Sequence, residues 1–267
     1  MKKTASGITL AKAIEALERI APLELAEEWD NVGCLIAPTR PRRIRRVLLT
    51  IDTSPEVVDE AIRKQVDLIV SYHPPLFQPT NRLHPDDVLQ NRLLKLIESR
   101  IAVYSPHTAL DAVDGGVNDW LADGVSGKED ASRSVIDDGP GRLIEFQKGL
   151  SPNEIIQRIS SHLSVPYLRV ARPAGRTGQI RRVALCAGAG FSALASTQAD
   201  LYLTGEMKHH DVLGAVAQGS WVVLSEHTHT ERGYLPVLRR SLTRELKQSG
   251  LKIVLSARDR DPLELIE

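Results

Sequence analysis

A histidine followed four positions later by a carboxylate occurs twice in the chain, each time at the end of an apolar run. One copy is Ile101-Ala-Val-Tyr-Ser-Pro-His107-Thr-Ala-Leu-Asp111, and the other is Trp221-Val-Val-Leu-Ser-Glu-His227-Thr-His-Thr-Glu231. If a helix starts where the strand stops, positions four apart share a face, so His107 meets Asp111 and His227 meets Glu231. Imidazole and carboxylate together are donors that divalent transition metals take. Two such pairs point to a metal site, and to a two-metal site if related halves each supply one.

His73 is a third candidate. It follows the strand-like run Val66-Asp-Leu-Ile-Val-Ser-Tyr and precedes Pro74-Pro75, a rigid pair that sets its direction. On this residue alone, a buried histidine satisfied by backbone reads equally well. Gly205-Glu206-Met-Lys-His209-His210-Asp211 gathers further donors, as ligands, as groups that orient ligands, or as an ordinary acid at a helix start. Asp52, Glu206 and His229 are the candidates for moving protons at such a site. His84 reads as a loop cap and His162 as structural. Gly188-Ala-Gly190-Phe-Ser192 follows a strand and opens a helix, so its amides could cradle a phosphate. It fits neither the dinucleotide fingerprint nor the Walker pattern, and a tight strand-to-helix turn is the simpler reading. The chain has no Gly-x-Ser-x-Gly elbow to support a hydrolase triad.

The elements that must carry these side chains repeat as well. Arg46-Val-Leu-Leu-Thr-Ile-Asp52 aligns with Arg182-Val-Ala-Leu-Cys-Ala-Gly188, and Val66 through His73 aligns with Ala199-Asp-Leu-Tyr-Leu-Thr-Gly-Glu206. Each half therefore runs strand, helix, strand, spacer, strand, then the His-and-acid pair, which an internal duplication explains. Helical periodicity covers 9–20, stopped by Pro22, and 88–99; Ser54-Pro55-Glu56 caps a helix over 55–64. Strands alternating with helices predict a parallel α/β sheet in each half, with sites at the strands' carboxyl ends. Asp52, His73, His107 and Asp111 fall at or just beyond such ends. The turn-forming run Asp137-Asp-Gly-Pro-Gly141 is the expected boundary. It separates an N-terminal α/β domain over 1–136 from a C-terminal α/β domain over 137–267, whose last helix can pack back on the first.

Composition narrows the function classes. The 267 residues carry 34 basic and 34 acidic side chains, a balance that gives no global field for nucleic acid or membrane. Aromatics make up 4%, too few for a base-stacking surface, and no apolar stretch approaches a membrane span. The basic start Met1-Lys-Lys lacks the apolar core of a signal peptide. Cys34 and Cys186 stand far apart, which excludes a cysteine zinc cluster and gives no disulfide framework, so a cytoplasmic protein is expected. Only the run Arg40-Pro-Arg42-Arg43-Ile-Arg45-Arg46 leaves room for an anionic substrate or an RNA contact, and a solvated loop explains it.

Several motifs in order resemble one family. They are Glu28-Trp-Asp-Asn-Val-Gly33, Ser71-Tyr-His-Pro-Pro75, Ser105-Pro-His-Thr-Ala-Leu-Asp111, Leu203-Thr-Gly-Glu-Met207 and His227 through Glu231-Arg-Gly233. Together they look like the Nif-three-like (YbgI-like) family, also called GTP cyclohydrolase I type 2 or dinuclear-metal-centre hexamer proteins. The resemblance implies two similar α/β domains with a two-metal centre in the cleft between them, in a toroidal homohexamer. Carried over by motif, His73, Asp111, His227 and Glu231 match family ligands, with Glu231 bridging. Bacterial relatives often have two adjacent histidines where this chain has Tyr72-His73, a form nearer that of eukaryotic members. Either His107 or a neighbouring carboxylate substitutes, or the second metal binds weakly. The resemblance and the residues together imply one or two divalent ions per chain, drawn from zinc, manganese, iron, cobalt or nickel. The expected activity is metal-dependent hydrolysis, GTP cyclohydrolase-like, of a small anionic or nucleotide-like substrate. The alternative is a non-enzymatic metal chaperone, store or interaction scaffold. A partner of transcription or RNA machinery is the third reading, which the balanced charge disfavours.

Overall fold

The computed structural model describes residues 7–40, 42–137, 139–175, 178–247 and 250–264. The amino-terminal residues 1–6, Pro41 of the basic run and Asp138 of the expected boundary lie outside the described residues. The chain divides into two compact units, Met1–Leu110 with Tyr234–Glu267, and Asp111–Gly233.

Unit 1 holds a five-stranded sheet in the order β1-β4-β3-β2-β11. Its strands are β1 (Gly33–Ile36), β2 (Arg46–Thr50), β3 (Leu68–Ser71), β4 (Ala102–Ser105) and β11 (Lys252–Leu255). Strands β11, β2, β3 and β4 are parallel, and β1 runs antiparallel to β4 at the edge. Helices α2 (Pro55–Arg63) and α3 (Val88–Glu98) supply Val57, Val58, Ala61, Leu93 and Leu96 to a core with Leu48, Ile69 and Val103. Ser54 Oγ accepts from Val57 N at the start of α2, the cap that the sequence implies. On this unit α1 (Leu10–Ile20) packs with α9 (Leu235–Glu245), and α9 packs on β11. Glu60, buried, accepts hydrogen bonds from Ser256 Oγ and from the amides of Ala257 and Arg258, which anchors the chain beyond β11.

Unit 2 holds a six-stranded sheet in the order β5-β6-β8-β9-β10-β7. The strands are β5 (Ala131–Val135), β6 (Arg142–Leu150), β7 (Arg169–Ala171), β8 (Ile180–Leu185), β9 (Leu201–Thr204) and β10 (Trp221–Leu224). Helices α5 (Val117–Ser126) and α6 (Pro152–Leu163) cover one face through Leu121, Val125, Ile155 and Ile159. Helix α7 (His209–Ala217) contributes Ala215 to a second cluster with Ala184, Tyr202 and Val222. Strands β5 and β6 form a hairpin in which Ile136 N donates to Gly141 O at 3.1 Å. The expected boundary at 136/137 therefore falls inside unit 2. Its turn formers close a hairpin between paired strands, and the observed division comes inside α4 (His107–Ala112).

The duplication extends to single hydrogen bonds. Asp67 Oδ2 accepts from the amides of Arg45 and Arg46 at 2.7 and 3.0 Å, and Asp200 Oδ2 accepts from those of Arg181 and Arg182 at 2.8 and 3.0 Å. Strand β7 runs antiparallel to β10 as β1 does to β4. One difference stands out. The segment after β8 forms only a 3-10 turn, Gly190–Ala193, where the sequence predicts a full helix. A Cβ on Gly190 would meet Cys186 Sγ at 2.3 Å, so the chain lies against its own strand end there and leaves no room for a side chain.

Candidate metal centre

In unit 1 the parallel strands deliver Asp52, His73 and His107 to their carboxyl ends. His73 N donates to Ile51 O at 3.0 Å, and Ser71 Oγ donates to His73 O at 2.7 Å, which fixes the backbone at the turn. His73 Nδ1 lies 2.9 Å from Asp52 Oδ1. His107 opens α4, and its Nδ1 lies 2.8 Å from Asp30 Oδ1, a carboxylate whose side chain is 0% exposed. Asp30 Oδ2 accepts from Thr108 N at 3.1 Å and from Thr108 Oγ1 at 2.5 Å. Burial by itself raises the Asp30 carboxyl, but the bonds from His107 and Thr108 outweigh it and hold the group below its ordinary range. The rings of His73 and His107 are 5.3 Å apart between centroids, each against Tyr72. Trp29 and Phe77, both exposed, flank the His107 ring at 6.1 and 6.2 Å.

In unit 2 His227 stands in the turn after β10, and Glu231 lies on α8 (His229–Arg232). His227 Nδ1 is 3.1 Å from Glu206 Oε1, and its Nε2 is 3.3 Å from Oε1 of buried Glu231. Nε2 and the Glu231 carboxylate thus present two donors at one point. Gly188 closes over that point, since a Cβ on it would come within 2.9 Å of Glu231 Oε1 and 3.0 Å of His227 Nε2. Its φ of +61° is a conformation that suits glycine. Asp111 belongs to the same unit. Burial first, then the charge of Asp111, drives the Cys186 thiol far up, with Glu231 adding to it. Cys186 is therefore a neutral buried thiol beside two carboxylates.

The donor chemistry fits a metal ion. A carboxylate can only accept, so a ring nitrogen that faces one serves as the donor, and the opposite nitrogen is the one a metal ion would take. Nδ1 of His73, His107 and His227 faces Asp52, Asp30 and Glu206 respectively, and Nε2 of His227 faces Glu231 as well. Left-handed φ values at two non-glycine residues, His107 at +24° and Glu226 at +68°, sit in the two histidine turns, and such strain gathers at functional sites.

Among the residues expected to shuttle protons, Asp52 and Glu206 face histidine nitrogens, whereas His229 Nδ1 meets its own turn's Ser225 O at 2.7 Å. His162 packs on Trp120, with ring centroids 4.3 Å apart, and is structural. Asp30 was not among the residues that spacing singles out. Its only signal was the Glu28-Trp-Asp-Asn motif, because its partner His107 is 77 positions away.

The family model described as Duf34/NIF3 (NGG1p interacting factor 3) matches residues 8–262. A NIF3 homologue of Schizosaccharomyces pombe is 40% identical over 268 residues, covering 95% of this chain and 96% of that protein. NIF3-like protein 1 of Homo sapiens is 34% identical over 353 residues, covering 98% of this chain and 93% of that protein. Among solved structures, reduced HcgD from Methanocaldococcus jannaschii is similar with a TM-score of 0.80 at 28% identity, covering 93% of this chain and 97% of that one.

Proposed function

We propose, for a chain that belongs to the Duf34/NIF3 family, a divalent-metal centre that serves hydrolysis of a small anionic or nucleotide-like substrate. The observation that carries this reading is the carboxylate at Nδ1 of His73, His107 and His227, which orients each ring with Nε2 on its opposite side. His73, His227 and Glu231 are assigned to one ion, as the family resemblance implies. Asp111 and His107 are assigned to a second, with Glu231 bridging as the family resemblance implies. Asp30, Asp52 and Glu206 then hold protons on the far side of the ligand rings, keep those rings oriented and raise their basicity. An ion held there would polarise an electrophile and bring a bound water's pKa toward neutrality. Exposed Trp29 and Phe77 offer an apolar wall beside His107 for the substrate.

A homohexamer is part of the same proposal and rests on the family resemblance. Among the described residues, no helix is long and apolar enough to cross a membrane. Cys34 and Cys186 are both free thiols, which accords with a cytoplasmic setting.

The test is turnover by metal-reconstituted protein against nucleotides and phosphoesters. Hydrolysis that a chelator abolishes and added metal restores is the expected result. Tight metal binding with no turnover of any of them would instead favour the chaperone or store.

A further inference from the structure

Unit 2 contains a polar side chain that touches neither His227 nor Glu231 but ties together the segments that bear its ligands. We propose that Asn118 is a positioning residue that fixes where Asp111 stands relative to the His227–Glu231 pair; this rests on the metal-binding reading above. Asn118 lies on α5 and is 0% exposed. Its Oδ1 accepts from Ala187 N at 2.8 Å, and its Nδ2 donates to Asp111 O at 3.2 Å. A backbone amide only donates and a carbonyl only accepts, so these partners set the orientation of the carboxamide without ambiguity. The chain of bonds continues from the next residue. Gly188 N donates to Thr230 Oγ1 at 2.8 Å, and Thr230 Oγ1 donates to His227 O at 2.6 Å. Thr230 is itself fully buried between His227 and Glu231 in sequence. Asn118 thus joins Asp111 to Ala187, and the next residue, Gly188, joins through Thr230 to His227, with Glu231 following Thr230 in the chain.

The segment after Asp111 is held from the other side by a buried ion pair. Arg142, 1% exposed, donates through Nη2 to Ala112 O at 2.9 Å and through Nε to Asp119 Oδ1 at 3.0 Å. Asp119 Oδ2 accepts from Gly115 N at 2.7 Å. With the loop held at 112–115, the Asn118 bond adds a hold on the Asp111 carbonyl itself. Groups of this kind behind metal ligands change affinity by about 10- to 100-fold when removed.

Asn118→Asp separates positioning from charge. It keeps the shape and the acceptor for Ala187 N but sets an oxygen against Asp111 O. A new negative charge by itself would tighten cation binding. The positioning role predicts the opposite, zinc affinity about 10-fold or more weaker than wild type by chelator competition on the full chain. Asn118→Leu, which removes both bonds, is expected to fall by up to about 100-fold. Ile159→Val, a core change on α6 remote from these bonds, controls for general destabilisation and should leave zinc affinity unchanged. Zinc binding by Asn118→Asp that equals or exceeds wild type overturns the positioning role and leaves the metal reading intact. Wild type that takes no zinc at all overturns both.

Discussion

Gly188→Ala is expected to abolish tight metal binding while the protein stays folded. The added methyl would sit 2.9 Å from Glu231 Oε1 and 3.0 Å from His227 Nε2, in the space where those two donors converge. Glu231 is 2% exposed and has little room to retreat, so the methyl displaces the donor geometry itself. The left-handed φ of +61° adds roughly 1–2 kcal/mol for a residue with a Cβ, enough to lower the melting temperature but not to unfold the unit. Affinity for zinc should fall by about 100-fold, the upper end of what misplacing ligands costs. Competition titration beside a thermal melt checks both halves. Wild-type zinc affinity in this variant would mean that His227 and Glu231 do not ligate together.

The second large effect belongs to Asp30. Asp30→Asn turns an acceptor-only group into one that points an N–H₂ at a donor, either His107 Nδ1–H or the Thr108 amide and hydroxyl. Hydrogen bonds to an ionised group contribute roughly 1.5–3 kcal/mol each, so the variant should lose about 3 kcal/mol at neutral pH. The loss also carries a pH signature. Asp30 has its carboxyl held below the ordinary value when folded, so the unfolded chain takes up the proton first as pH falls. Its contribution is complete above the ordinary Asp range near 4 and disappears as pH drops through the folded value. Urea midpoints from pH 7 down to about 3 should therefore fall more steeply for wild type than for Asp30→Asn. Parallel curves would show that Asp30 is not the charged partner of His107.

Local pattern and distant pairing differ in how much of this the sequence reveals. The parallel strands β2–β4 and β8–β10 show as apolar runs, and the repeat of Asp67 and Asp200 marks equivalent strand starts whose hydrogen bonds match. The antiparallel edges β1 and β7 are only four and three residues long, too short for any period to register. Strand β11 reaches β2 from more than two hundred positions away, so unit 1 is built from both ends of the chain, which a single cut at 136/137 could not express. The site shows the same limit. Ligand-type residues stand out because His and acid are four apart, a helical spacing. The carboxylates that orient them do not, because Asp30 and Asp52 meet their histidines 77 and 21 positions along the chain. Asp52 and Glu206 look like mobile acids in the sequence and are, in the fold, partners of imidazole nitrogens.

The central claim is that histidines with carboxylate-backed Nδ1 atoms, together with Glu231, hold divalent metal. The most direct measurement is elemental analysis of untagged full-length protein, wild type and Glu231→Gln, as purified and after metal is added and excess removed. The account predicts about one or more ions per chain in wild type and a sharp fall in the variant. Metal-free wild type that takes up none on addition would contradict it, and would leave the duplicated His-and-acid pairs as elements of structure alone.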